Sequence, residues 1–161
     1  MEQGKMPTRT LNKEKMVENF LLTRDQVIFY RKNGYLIVAD ILNNEQCNRI
    51  YASFNEHAPK LDPSYLGIMN LDREDYRIRH LMCYYKIVIV LDTLLDAETI
   101  GLQSIMLFKK AGSSQAWNPH QDNAYARAPY GMYVTGNIPL ADQDKENGCM
   151  FIYPGSHLES L

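Results

Sequence analysis

The hydrophobic period of this chain changes near residue 100, and that change restricts the layouts it can adopt. Upstream, apolar residues recur at spacings of three and four behind helix-start signals. Downstream, they run in short strings broken by glycine and proline. Thr23 and Gln26 form a capping-box pattern, in which each side chain can satisfy the other residue's backbone N–H. Val27 and Tyr30 then mark one helix face, and Gly34 sits where a helix-terminating glycine belongs. Residues 35–39 read as a short β-rich run. Asn43 and Gln46 repeat the cap. Cys47, Ile50, Tyr51, Phe54 and Ala58 share one face at helical spacing, and Pro59 stops that helix. Residues 60–71 read as loop. Asp72 with Asp75 opens a helix to about Tyr85, and Val88, Leu91 and Leu95 place 87–95 in a helix.

Beyond residue 100 the expected elements are strands. Residues 102–108 form the first, and 110–115 a loop. Residues 132–140 form the second, with Met132, Val134 and Ile138 on one face and Tyr133, Thr135 and Asn137 on the other. Asn147-Gly148 is a hairpin turn signal, 149–153 a third strand, and Pro154-Gly155 a further turn. The chain therefore reads as one α+β domain over 1–161: a lead-in (1–22), a mainly helical part (23–100) and a β part (101–161). Its 161 residues suffice to bury about two-thirds of the unfolded surface.

Charge narrows the partners. Seventeen Lys and Arg against 19 Asp and Glu leave a net charge of −2, with no basic surplus to neutralise a phosphate backbone. That balance disfavours nucleic acid, and none is expected as a partner. The longest apolar run, 87–91, is too short to span a bilayer, and the first residues lack the apolar stretch of a secretory signal. Cys47, Cys83 and Cys149 are odd in number and lack CxxC spacing, which disfavours disulfides and a zinc knuckle. The expectation is a soluble, cytoplasmic protein with no membrane partner.

The residues richest in chemistry are His120-Gln121-Asp122-Asn123. In an extended segment residues i and i+2 share a face, so His120 and Asp122 can offer a nitrogen and a carboxylate oxygen to one ion. That is two-thirds of the 2-His-1-carboxylate triad of non-haem Fe(II) sites. On spacing alone, a surface loop whose His and Asp bond local backbone is the better reading of the triplet, since a three-residue pattern recurs by chance. His57 and His80 have no acidic or His partner at i+4 and read as helix-packing or surface residues.

Context adds a resemblance. Pro119-His120-Gln121-Asp122-Asn123-Ala124-Tyr125, then Glu146-Asn147-Gly148-Cys149-Met150, then Pro154-Gly155-Ser156-His157 resemble the phytanoyl-CoA dioxygenase family of Fe(II)/2-oxoglutarate-dependent oxygenases. Residues 102–109 resemble the family's strand before the HxD loop, and Phe29, Gly34 and Tyr35 its helix-to-strand entry. The resemblance spans about 23–157. It implies a double-stranded β-helix (jelly-roll) core buttressed by helices, incomplete in this chain, with Fe(II) and 2-oxoglutarate as cofactors and dioxygen as co-substrate. It implies His120 and Asp122 as metal ligands and Ile105, Thr135 and Asn137 as cofactor-pocket residues. At the position of Asn137 the family often has a tryptophan that packs on 2-oxoglutarate. The family's distal metal-ligating histidine and its 2-oxoglutarate-binding arginine have no counterpart up to Leu161.

The function expected from the resemblance is hydroxylation of a small organic substrate, with Tyr125 and Arg127 as candidate substrate contacts and part of the active site lacking. A non-catalytic β-helix module is the rival, and a cupin-like metal protein using His120, Asp122 and His157 a third reading. An open sheet, with Met132, Val134 and Ile138 partly exposed, or a homodimer covering it, is the structural expectation.

Overall fold

The computed structural model describes residues 20–58, 67–108 and 118–159. Helices start where the sequence supplies a cap. The Thr23 hydroxyl accepts from the Gln26 N–H at 3.2 Å while the Gln26 amide oxygen accepts from the Thr23 N–H at 2.8 Å, opening α1 (Arg24–Asn33). Gly34 ends it at φ +79°, its N–H donating to the Tyr30 carbonyl. Asn43 and Gln46 exchange the same two bonds, each 2.9 Å, at the start of α2 (Asn44–His57). Ile50, Ser53 and Phe54 form the buried face of α2, whereas Tyr51 stays exposed. Pro59 lies outside the described residues.

Residues 67–71, expected to be loop, carry regular structure. Gly67–Met69 is a strand, β1, and Leu71–Arg73 a 3-10 turn. β1 pairs antiparallel with β2 (Ile105–Leu107), Ile68 standing opposite Met106. The Asn70 N–H extends the connection to the Ser104 carbonyl at 2.7 Å. Three residues show too little alternation to be read as a strand alone; the partner makes it one.

The two helices expected, one opening at Asp72 or Asp75 and running to about Tyr85 and one over 87–95, are α3 (Tyr76–Met82), opened by Asp75, and α4 (Tyr85–Leu95), separated by an extended Tyr84. Burial explains the break. At 100° per residue an unbroken helix would put Ile78 and Leu94 about 160° apart, on opposite faces. Both are buried here, because the chain turns between them. Ile50, Leu71 and Ile78 make the central cluster, with Ile68, Leu81, Met106 and Leu140 against it. α1 packs on α4, and α3 on both α2 and α4.

A polar clamp joins α2 to α3. Asp75, 5% exposed, caps α3 by accepting from the Arg77 N–H at 2.8 Å. Its carboxylate also accepts from the Arg77 guanidinium and from the buried Ser53 hydroxyl. Arg77 continues to Glu56. His57 Nδ1 donates to the Ser53 carbonyl at 2.8 Å and stands 3.9 Å from Asp75. His57 thus has an acidic neighbour, supplied by another helix. The Arg77 hydrogen bonds, aided by Ser53, hold the Asp75 carboxyl well below the usual carboxylate range against the opposing effect of burial. The same guanidinium lowers Glu56.

The β part is less regular than expected. Residues 35–39, 132–140 and 149–153 join no ladder among the described residues, and β2 is shorter than 102–108. A strand exists only through its partner's N–H and C=O groups, and no described segment presents such an edge to these runs. They nonetheless pack: Leu140 reaches the central cluster, and the Asn137 amide lies 4.0 Å from Met150 Sδ. Both turns form, with Gly148 and Gly155 at positive φ. Between them, the Asn147 side chain and the Asp144 backbone close the 144–149 loop. The molecule is thus a mixed helical and β structure with a two-stranded sheet. None of its described helices is long and apolar enough to cross a membrane.

Candidate metal centre

His120 and Asp122 meet although their segment is not extended. Asp122 has helical angles and precedes a single helical turn, α5 (Asn123–Ala126). Its side chain makes no cap bond to that turn and swings back to His120, placing Oδ1 3.2 Å from Nε2. The two side chains are 43% and 34% exposed, open to an entering ion.

His120 Nδ1 lies 2.8 Å from the Asn118 carbonyl, which can only accept, so Nδ1 carries the proton. In the neutral ring Nε2 then turns a lone pair toward a carboxylate oxygen. Two such atoms at this distance are held by a positive charge, either a proton on Nε2 or a metal ion shared by both. Metal–nitrogen and metal–oxygen bonds of about 2.1 Å at angles of about 90–109° give an N···O separation of roughly 3.0–3.4 Å. The observed bite lies within that span, so the pair fits two adjacent ligands on one divalent ion. A backbone carbonyl on the outer ring nitrogen is also the usual support of a metal-ligating histidine.

The scaffold behind the pair comes from distant chain. The Thr135 hydroxyl donates to Asp122 Oδ2 at 2.6 Å. The Tyr125 ring stands edge-on to His120, centroids 5.8 Å apart. Asn123 closes the loop through two bonds to the Ala128 backbone, with Arg127 at φ +52°. Gln121, between the two candidate ligands, donates to the carbonyls of Ser156 (2.9 Å) and Glu159 (3.3 Å). That C-terminal turn is fastened to α1: the Gly155 N–H donates to Asn33 at 2.9 Å and His157 Nε2 to the Arg31 carbonyl at 3.1 Å.

The structure therefore brings His120, Asp122, Thr135 and Tyr125 together. Ile105 stands opposite Met69 in the ladder, and Asn137 faces Met150. Arg127 is exposed at the end of the loop. His157 packs on Gly34 and bonds α1, which separates it from the pair and removes the three-residue cluster of the cupin-like reading. No group of three or more His, Cys, Asp or Glu suited to a metal occurs among the described residues. Sequence reasoning missed the structural parts of Gln121 and Thr135 as polar supports. The only signal was their position, inside the HxD triplet for one and on the polar face of 132–140 for the other.

Comparison with known proteins places these observations. The family profile Phytanoyl-CoA dioxygenase (PhyH) matches residues 30–161. The chain is 23% identical over 170 aligned residues to a mouse protein named phytanoyl-CoA dioxygenase, peroxisomal, covering 90% of this chain and 50% of that one. It is 36% identical over 61 residues to phytanoyl-CoA dioxygenase domain-containing protein 1 of Danio rerio, covering 37% of this chain and 21% of the relative. A rice protein, phytanoyl-CoA dioxygenase 1, is 35% identical over 60 residues. The matches thus span half of the mouse relative and about a fifth of the zebrafish one. No solved structure matches the chain.

Proposed function

Because the chain belongs to the phytanoyl-CoA dioxygenase family, we propose that it carries the metal-binding HxD segment of a non-haem Fe(II)/2-oxoglutarate-dependent oxygenase acting on a small organic substrate. The observation that carries this reading is the 3.2 Å approach of His120 Nε2 to Asp122 Oδ1 inside the family-matched region. When bound, the iron and 2-oxoglutarate supply an oxidation by dioxygen in which the 2-oxo acid loses CO2 to give succinate and the substrate is hydroxylated.

The residues of this chain have narrower tasks. His120 keeps its Nδ1 proton on Asn118, which fixes the tautomer that turns Nε2 to the ion. Asp122 contributes a negative charge and an oxygen suited to a hard or borderline cation. Tyr125, exposed beside His120, and Arg127, exposed at the end of the same loop, are the substrate contacts of this reading. Thr135 is engaged with Asp122 and Asn137 with Met150, so assigning Ile105, Thr135 and Asn137 to 2-oxoglutarate rests on family likeness rather than on contacts here. The jelly-roll reading belongs to the same proposal. It is supported by the β1–β2 pair and by the packing of Leu140 on the central cluster.

The test is an anaerobic Fe(II) titration of the chain with and without 2-oxoglutarate, following the heat of binding and the visible charge-transfer band of the ternary complex. The expected result is weak Fe(II) binding by the unaltered protein, with little of that band because the described residues supply two ligands, and loss of the binding in His120→Ala and in Asp122→Ala. No Fe(II) binding, or binding indifferent to both substitutions, overturns the reading.

A further inference from the structure

We propose that Thr135 is a positioning residue for the metal pair: its hydroxyl holds Oδ2 of the Asp122 carboxylate and so keeps Oδ1 aimed at the ion. The inference rests on the reading of His120 and Asp122 as metal ligands.

Asp122 has helical backbone angles and makes no cap bond to α5, so its own turn does not fix its side chain. Its two oxygens are instead divided between distant partners: Oδ2 accepts from the Thr135 hydroxyl at 2.6 Å, and Oδ1 lies 3.2 Å from His120 Nε2. An ionised carboxylate only accepts, so the threonine is the donor, and the distance is that of a charge-assisted O–H···O⁻ bond. With Oδ2 held by Thr135, rotation of the carboxylate is restricted and Oδ1 stays turned to His120. As a β-branched residue with few χ1 states, Thr135 gives up little freedom in making this bond. Thirteen residues separate Thr135 from Asp122, so the contact also links the 132–140 segment to the HxD loop.

Removing the hydroxyl should free the carboxylate to rotate and weaken the ion's hold. Loss of such an outer partner typically lowers metal affinity about 10–100-fold. Co(II), which reports its ligand field in the visible, is the probe, titrated into the full chain and into Thr135→Val, Thr135→Ser, His120→Ala and Asp122→Asn. Expected are at least tenfold weaker binding and an altered d–d spectrum for Thr135→Val, and affinity within about threefold of the unaltered protein for Thr135→Ser. Both should melt at the temperature of the unaltered chain, since Thr135 is exposed. If Thr135→Val binds as the unaltered protein does while His120→Ala does not, this inference fails and the metal reading stands. If Thr135→Ser is as weak as Thr135→Val, the hydroxyl is not the determinant and the inference fails again. If the unaltered chain and His120→Ala are alike, the metal reading falls and takes this inference with it.

Discussion

The most tightly held charge in the described structure is Asp75, and its surroundings make its ionisation a condition of the fold. Buried at the start of α3, it caps its own helix and takes hydrogen bonds from Arg77 and from Ser53 of α2. Asp75→Asn is nearly isosteric but loses the charge that Arg77 answers. Its expected cost is about 3 kcal/mol, in the range for breaking a buried, hydrogen-bonded pair. The pH dependence has a definite sign. The folded carboxyl titrates below its unfolded value of about 3.9, so between the two the unfolded chain binds more protons. The contribution is therefore complete above about pH 5 and declines as the pH falls through 4. Urea melts from pH 7 to 3 should show this decline in the unaltered chain and a shallower one in Asp75→Asn; parallel slopes would refute it. Sequence marked Asp75 as a helix starter, which it is. It did not show Ser53, Glu56 and Arg77 gathering around it, because that depends on how α2 crosses α3. For the same reason it brought His120 and Asp122 together but gave no notice that Thr135 would bond the carboxylate.

Among elements, what was legible is what is local. Both capping boxes and the Gly34 stop formed as read, since each is settled within about four residues. The runs 132–140 and 149–153 have β-like composition but no ladder, because pairing is a property of two segments. The contact between α1 and the C-terminal turn (Ser156–Leu158) shows how distant such a determinant can be. A Cβ on Gly34 would lie 2.3 Å from His157 Nδ1, at a φ of +79° that disfavours any side chain. Gly34→Ala should thus cost about 1–2 kcal/mol from the left-handed backbone alone, and more from the collision. In a His157→Ala background the ring atoms are gone and only the Cβ of residue 157, at 3.0 Å, still crowds the new methyl, so most of the collision is relieved and the backbone cost remains. The two substitutions should therefore be non-additive, the double variant being more stable than the summed losses predict. Equilibrium denaturation of the four proteins measures this, and strict additivity would show that the ring does not press on the glycine.

At the scale of the whole molecule, burial is uneven. Among the described residues, the buried apolar ones, Ile50, Phe54, Leu71, Ile78, Val90 and Leu94, all lie between residues 50 and 94. From residue 100 onward, Ile100, Leu102, Leu107, Tyr125, Tyr130, Met132, Met150, Phe151, Tyr153 and Leu158 are exposed, and Met132, on the expected apolar face, is 49% exposed. Scattered apolar side chains are normal on a surface, but a run such as Met150 to Tyr153, each exposed, is not. Water ordered against that much apolar surface favours association, because burying each 100 Å² gains roughly 2.5 kcal/mol before the entropy of association is subtracted. The purified chain is therefore expected to bind the dye ANS with a several-fold rise in fluorescence at neutral pH and to self-associate with increasing concentration. Association should compete with the dye, since both use the same surface. Replacing Phe151 and Tyr153 together with serine should lower dye binding and shift light-scattering mass toward the monomer, while the helical signal near 222 nm, which comes mostly from α1 to α4, stays unchanged. A chain that is monomeric at all accessible concentrations and silent to the dye would mean that these side chains are covered in solution. The β part would then have an ordered partner within the chain itself.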